Sequence, residues 1–166
     1  MELRNGLMAE IKHEAASTRK ILERVPLDKL TWKPHEKSME LGKIAKHVAS
    51  IYSWISRAIT TDELDFAKGR PPQPPDFKTT AELLAILDHN VNQALKDVET
   101  TSNETFMKPW SLREGEKVYM TMPKAAVVRN LALNHSVHHR GQLSVYLRLL
   151  NVPVPGMYGP TADEPM

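Results

Sequence analysis

The sequence predicts an all-α protein, a four-helix bundle with long crossover loops and a short β-hairpin before its last helix. Three observations carry this reading. Apolar residues recur at steps of three and four in several long stretches, proline-containing or polar segments separate those stretches, and no internal repeat points to a solenoid. A chain of 166 residues is the usual size of one domain, so residues 1–166 are expected to form a single helical domain.

The elements follow in order. Leu3, Leu7, Ile11, Ala15, Thr18, Leu22 and Val25 put one apolar stripe on a helix over residues 2–25, which Pro26 stops. Trp32-Lys33-Pro34-His35 reads as loop. Ser38 is the expected N-cap of a second helix, whose stripe of Leu41, Ile44, Ala45, Val48, Ile51, Tyr52, Ile55 and Ile59 runs to Thr60. Residues 69–76, Gly-Arg-Pro-Pro-Gln-Pro-Pro-Asp, cannot continue a helix because proline lacks the amide donor and restricts its predecessor, so they form an extended crossover. Thr79 followed by Glu82 has capping-box spacing, and Leu83, Leu84, Leu87, Val91, Ala94, Leu95 and Val98 supply the stripe of a third helix. β-Favouring residues on either side of Glu114-Gly115 predict a hairpin within Phe106–Met120, although two strands alone are marginally stable. Thr121 is the expected cap of a fourth helix, with Pro123 near its first turn and no breaker before Leu150. The residues from Asn151 onward, rich in proline and glycine, form a tail.

Composition narrows the function. The absence of cysteine removes disulfides and thiolate-ligated clusters, so any thiol chemistry uses sulfur supplied from outside. Twenty-two Lys and Arg are interspersed with twenty Asp and Glu for a net charge of +2, which gives no basic stripe for nucleic acid. No apolar run approaches the roughly 18 residues of a membrane span, and the charged N-terminal residues do not read as a secretory signal. A cytoplasmic protein with a small-molecule partner is the expectation, with neither nucleic acid nor membrane as partner.

The seven histidines are separated by the helical wheel. His13 and His89 lie opposite the apolar stripes of the first and third helices, and His35 sits in a loop. In the fourth helix, a wheel phased on the apolar positions from Val127 to Leu150 places His135 and His139 within roughly 20° of the centre of the apolar face, with His138 about 80° away. An i, i+4 pair of inward imidazoles can ligate one ion, or can be two core histidines satisfied by neighbouring carbonyls or hydroxyls. His47 is the sole histidine of the second helix, about 90° from the centre of its apolar face.

Ile44-Ala45-Lys46-His47, together with His135-x-x-x-His139-Arg140-Gly141-Gln142 and the ending Val152-Pro153-Val154-Pro155-Gly156-Met157-Tyr158-Gly159-Pro160-Thr161-Ala162-Asp163-Glu164, resembles the DinB/YfiT-like family over essentially the whole chain. The resemblance implies an up-down-down-up bundle, commonly a homodimer, with a divalent metal ion held by His47, His135 and His139. It also implies activities such as thiol-dependent S-transfer and isomerisation, or metal-dependent hydrolysis.

Three neutral imidazoles leave an ion its charge and an open coordination position, which suits catalysis better than a purely structural role. That position can take a low-molecular-weight thiol as thiolate, the S-transferase reading, or a water whose pKa the ion lowers, the hydrolase reading. Zinc or nickel is the expected ion; iron, manganese and copper also accept such ligands. Glu40, Asp88 and Glu164 are expected to be solvated, Gln142 to bond a ligand or pack, and Arg140, off the apolar face, to lie at the surface or in a salt bridge. A non-catalytic protein that holds metal, or a small apolar ligand beneath the proline-rich crossover, is the alternative.

Overall fold

The structure, a computed structural model, describes residues 2–165. It is mostly helical, and where an all-α chain with one hairpin was expected a third strand joins that hairpin in a small sheet. The helices are α1 (Leu3–Leu22), α2 (Leu41–Ser50), α3 (Ser53–Thr60), α4 (Thr80–Glu99), α5 (Asn103–Met107), α6 (Lys124–Val127) and α7 (His135–Leu149), with a π-helical segment over Val128–Asn134. The strands are β1 (Glu63–Asp65), β2 (Pro109–Glu114) and β3 (Lys117–Pro123). Packing runs from α1 to α4, from α4 to α2 and α3, from α2 to α7, and from α7 back to α1. Ile11, Leu22, Ile44, Val48, Leu83, Leu87, Leu143 and Leu147 are among the side chains that fill the space between them.

Two expected helices are corrected. The second is broken at Ile51–Tyr52, where both residues keep right-handed helical dihedrals but the ladder tightens, Trp54 N donating to Ile51 O and Ile55 N to Tyr52 O. Ser50 Oγ donates to His47 O at 3.0 Å, the kind of side-chain back-bonding that bends a helix. Ser38 does not cap this helix, since Glu40 holds the N-cap position without a side-chain bond. The fourth helix starts later and changes pitch. Thr121 lies in β3, its hydroxyl paired at 2.8 Å with that of Ser111 on β2, and Pro123 stands at the N-cap position.

The hairpin forms around a two-residue loop in which Gly115 takes φ 59°, a left-handed conformation that costs glycine little. It does not stand alone, because β1 pairs in parallel with β2 through Glu63, Leu64 and Asp65. The buried Asp65 carboxylate accepts from Gly115 N and Ala67 N, which lock the hairpin loop to β1. The capping box at the start of α4 is present as read, with Glu82 N donating to Thr79 Oγ1 at 3.1 Å and Thr79 N to Glu82 at 3.2 Å. The tail is ordered against the helices. Asn151 ends α7 at φ 57°, Val154 is buried, and Arg148 and Arg24 hold Asp163 and Glu164.

Candidate metal centre

His47 comes from α2, whose apolar side, Ile44, Ala45, Val48 and Ile51, is buried while His47 itself is half-buried at the edge. His135 and His139 come from successive turns of α7, which packs against α2. The three imidazoles converge, with every pair of candidate ligand atoms within 4.8 Å. His139 Nε2 stands 2.8 Å from His135 Nε2, and His47 Nε2 stands 3.3 Å from His135 Nε2.

The outward nitrogens decide what the inward ones carry. His139 Nδ1 faces Gln142 Oε1 at 2.7 Å, and His135 Nδ1 faces the Leu131 carbonyl at 3.3 Å. Both oxygens can only accept, so each Nδ1 bears its ring's proton and each Nε2 presents a lone pair. Burial keeps a second proton off. It is the main cause that lowers all three pKa values, and His47, which also feels repulsion from His139 and His135, falls to about 4. Two lone pairs facing each other at 2.8 Å repel unless a cation lies between them. Three nitrogens each about 2.0–2.1 Å from one tetrahedral zinc would stand roughly 3.3 Å apart; the His47–His135 separation has that value, and the His135–His139 pair at 2.8 Å would open by about half an ångström. The donor set fits a divalent ion.

The inward positions of α7 are Ser136, Arg140, Leu143, Tyr146 and Leu147, with His135 and His139 half-buried beside that row. The wheel had centred the apolar face on the two histidines. Two causes displace that centre: Val137, Val145 and Leu149 count as apolar although they are exposed, and a π turn takes more residues than an α turn, so the phase counted from Val127 does not carry past Asn134. Arg140 is correspondingly 1 % exposed and not at the surface. It pairs with the Glu14 carboxylate, donates to Glu14 O at 2.8 Å and meets the Tyr158 hydroxyl, which donates to Glu14 Oε2 at 2.6 Å. Burial and the bond to Glu14 push the Tyr158 phenol up to about 12.

The remaining residues fall as follows. His138 is exposed and accepts from Gln142 Nε2 at 3.0 Å, while His13, His35 and His89 are exposed. Glu40, Asp88 and Glu164 pair with Lys43, Arg19 and Arg24. Between α2–α3 and α4 and under the proline crossover lies a cleft of about 880 Å³, with His47 among the residues that line it.

A mostly helical protein with three convergent imidazoles at the seam of two helices is the class that fold and site define. The chain belongs to the DinB family, whose sequence model matches residues 1–165. It is similar to YrdA of Bacillus subtilis (strain 168), at 28% identity over 154 residues, 91% of this chain and 85% of YrdA. YjoA of the same organism is 23% identical over 146 residues, 87% of this chain and 88% of YjoA. The crystal structure of YjoA, a DinB-like protein, matches with a TM-score of 0.71 at 19% identity, covering 92% of this chain and 97% of that one. A DinB-like protein from Bacillus cereus ATCC 10987 matches with a TM-score of 0.73 at 18% identity, covering 95% and 98%. These two likenesses concern the fold alone. Among the described residues no helix is long and apolar enough to cross a membrane.

Proposed function

We propose that the chain is a metal-dependent enzyme that holds one divalent ion, zinc or nickel, on Nε2 of His47, His135 and His139 and activates a small thiol toward a small electrophilic substrate. The observation that carries this is the 2.8 Å approach of two ring nitrogens whose outward partners commit both to lone pairs. When bound, the ion supplies concentrated positive charge and an open position, which favours the thiolate of a thiol or, in the hydrolase reading, acidifies water. The protein's part is orientation. The Leu131 carbonyl and the Gln142 amide hold two rings in one tautomer, and burial keeps all three neutral at pH 7, ready to donate.

Titration of chelator-treated protein with zinc, with His47→Ala beside it, tests the site: one ion per chain, lost or much weakened in the variant, is expected. Turnover of a panel of electrophiles by loaded protein, with and without an added thiol, tests the chemistry. Thiol-dependent turnover supports the transferase reading, and turnover without thiol supports the hydrolase. A second reading, a small-ligand binding protein, is favoured by the cleft beside His47 and gains if no electrophile reacts.

A further inference from the structure

Charge is unevenly matched in the cleft beneath the proline crossover. Its two carboxylates are already engaged, Asp76 by the Lys46 ammonium and Glu82 by the backbone amides of the capping box. Its two guanidinium groups are not. Arg57, half-exposed on α3, lies 6.0 Å from the Trp54 ring centroid, and Arg70, at the start of the crossover, lies 5.4 Å from that of Phe66. Every other arginine among the described residues has a carboxylate partner within ion-pair distance. The two that have neither an ion pair nor a side-chain hydrogen bond among the described residues are the two that line this cleft.

A guanidinium at cation–π distance from an aromatic ring, with no ion pair or hydrogen bond of its own, has its N–H fork available to a carboxylate or phosphate through two parallel bonds. The same aromatic rings, with Ile51, Ile86 and the prolines, give the cleft an apolar wall, and a volume of about 880 Å³ holds a small organic molecule. We propose that this cleft binds an amphipathic organic anion, its apolar body against Trp54 and Phe66 and its carboxylate or phosphate on Arg57 and Arg70. Because His47 is one of the residues that line the cleft, such an anion is the substrate class of the metal centre. Only its standing as a substrate rests on the metal-dependent reading; its binding does not.

Calorimetric titration with 2-naphthoate, 2-naphthyl phosphate and uncharged 2-naphthamide tests the proposal on the full chain, both zinc-loaded and chelator-treated. At least one anion is expected to bind about tenfold or more tightly than the amide in both preparations, and the stronger of the two identifies the head group. Arg57→Gln and Arg70→Gln should each reduce that preference, and the double variant should bring it near unity while zinc affinity stays as in the parent. Arg70→Glu, on the exposed crossover, should reverse the preference without touching a helix. Equal binding of amide and anions, a preference that survives in the double variant, or failure of every probe to bind would overturn the proposal. Anion binding that disappears on chelation would overturn it too, because the ion and not the arginines would then hold the anion. Zinc stoichiometry, read in the same samples, separates each of these outcomes from failure of the metal centre itself.

Discussion

Replacing Gln142 by leucine removes the acceptor that faces His139 Nδ1 at 2.7 Å and leaves the helix and the three candidate ligands in place. Groups that orient a ligating imidazole typically contribute ten- to a hundredfold to metal affinity, or about 1.4–2.7 kcal/mol. The structure puts this case at the lower end. Gln142 is exposed, so water can replace part of the lost bond, and only one of three imidazoles is affected because His135 leans on a backbone carbonyl that the substitution leaves intact. A loss of about tenfold in zinc affinity is therefore expected. Gln142→Glu, with a stronger acceptor at the same reach, should bind zinc at least as tightly as the parent. Competition titration against a chelator of known affinity gives the constants, and nitrogen-15 spectra of the histidine rings in metal-free protein report the His139 tautomer. Unchanged zinc affinity in the leucine variant would refute the assignment of Gln142 as the group that orients this ring.

Three further outcomes follow from the same geometry. Arg140→Met strands the 7 % exposed Glu14 carboxylate and should cost about 3–5 kcal/mol in urea unfolding, whereas Arg140→Met with Glu14→Leu should return to within about 1 kcal/mol of the parent; a double variant as unstable as the single would show that the charge is not the issue. Metal-free protein should lose thermal stability as the pH falls from about 6.5 to about 4, because His47, His135 and His139 have lowered pKa values in the fold and the unfolded chain takes up protons first; stability is full above that window, and a melting temperature flat across it, or falling equally in His47→Ala, would contradict the burial of the site. Chelation should abolish activity and leave the far-ultraviolet helical signal largely intact, since the imidazoles stand at the edge of a core filled by apolar side chains; collapse of that signal would make the ion structural.

What the sequence disclosed was local. The capping box of Thr79 and Glu82 needs residues three apart, and it is present as read. The crossover was visible because proline removes the amide that a helix needs, and the hairpin because glycine stands where the chain must turn. His47 at the edge of its stripe could be placed because α2 is regular up to Ser50. The misses were non-local or came from irregular backbone. β1 pairs with a strand some fifty residues away, so its three residues carry too little pattern to declare themselves. Glu14, Arg140 and Tyr158 meet across 126 and 144 residues, and no periodicity links them. The cleft's walls come from α2, α3, α4 and the crossover together, and only their packing shows what the prolines cover.

The error in the helical wheel bears directly on function. Had His135 and His139 been centred on the core face, they would stand where Ser136 and Arg140 stand, packed against α1 and the tail. The π segment over Val128–Asn134 sets a different phase for α7. Ser136, Arg140, Leu143 and Leu147 then point inward, and the Glu14–Arg140 pair holds that rotation from the side of α1. His135 and His139 are turned by about 100° from Ser136 and Arg140, the residues that follow them, toward the seam with α2 where His47 stands. There they are buried enough to stay uncharged and are still half-exposed. The ion proposed for this site would need both conditions, and the π segment before His135 and the Glu14–Arg140 pair together set the rotation of α7 that meets them.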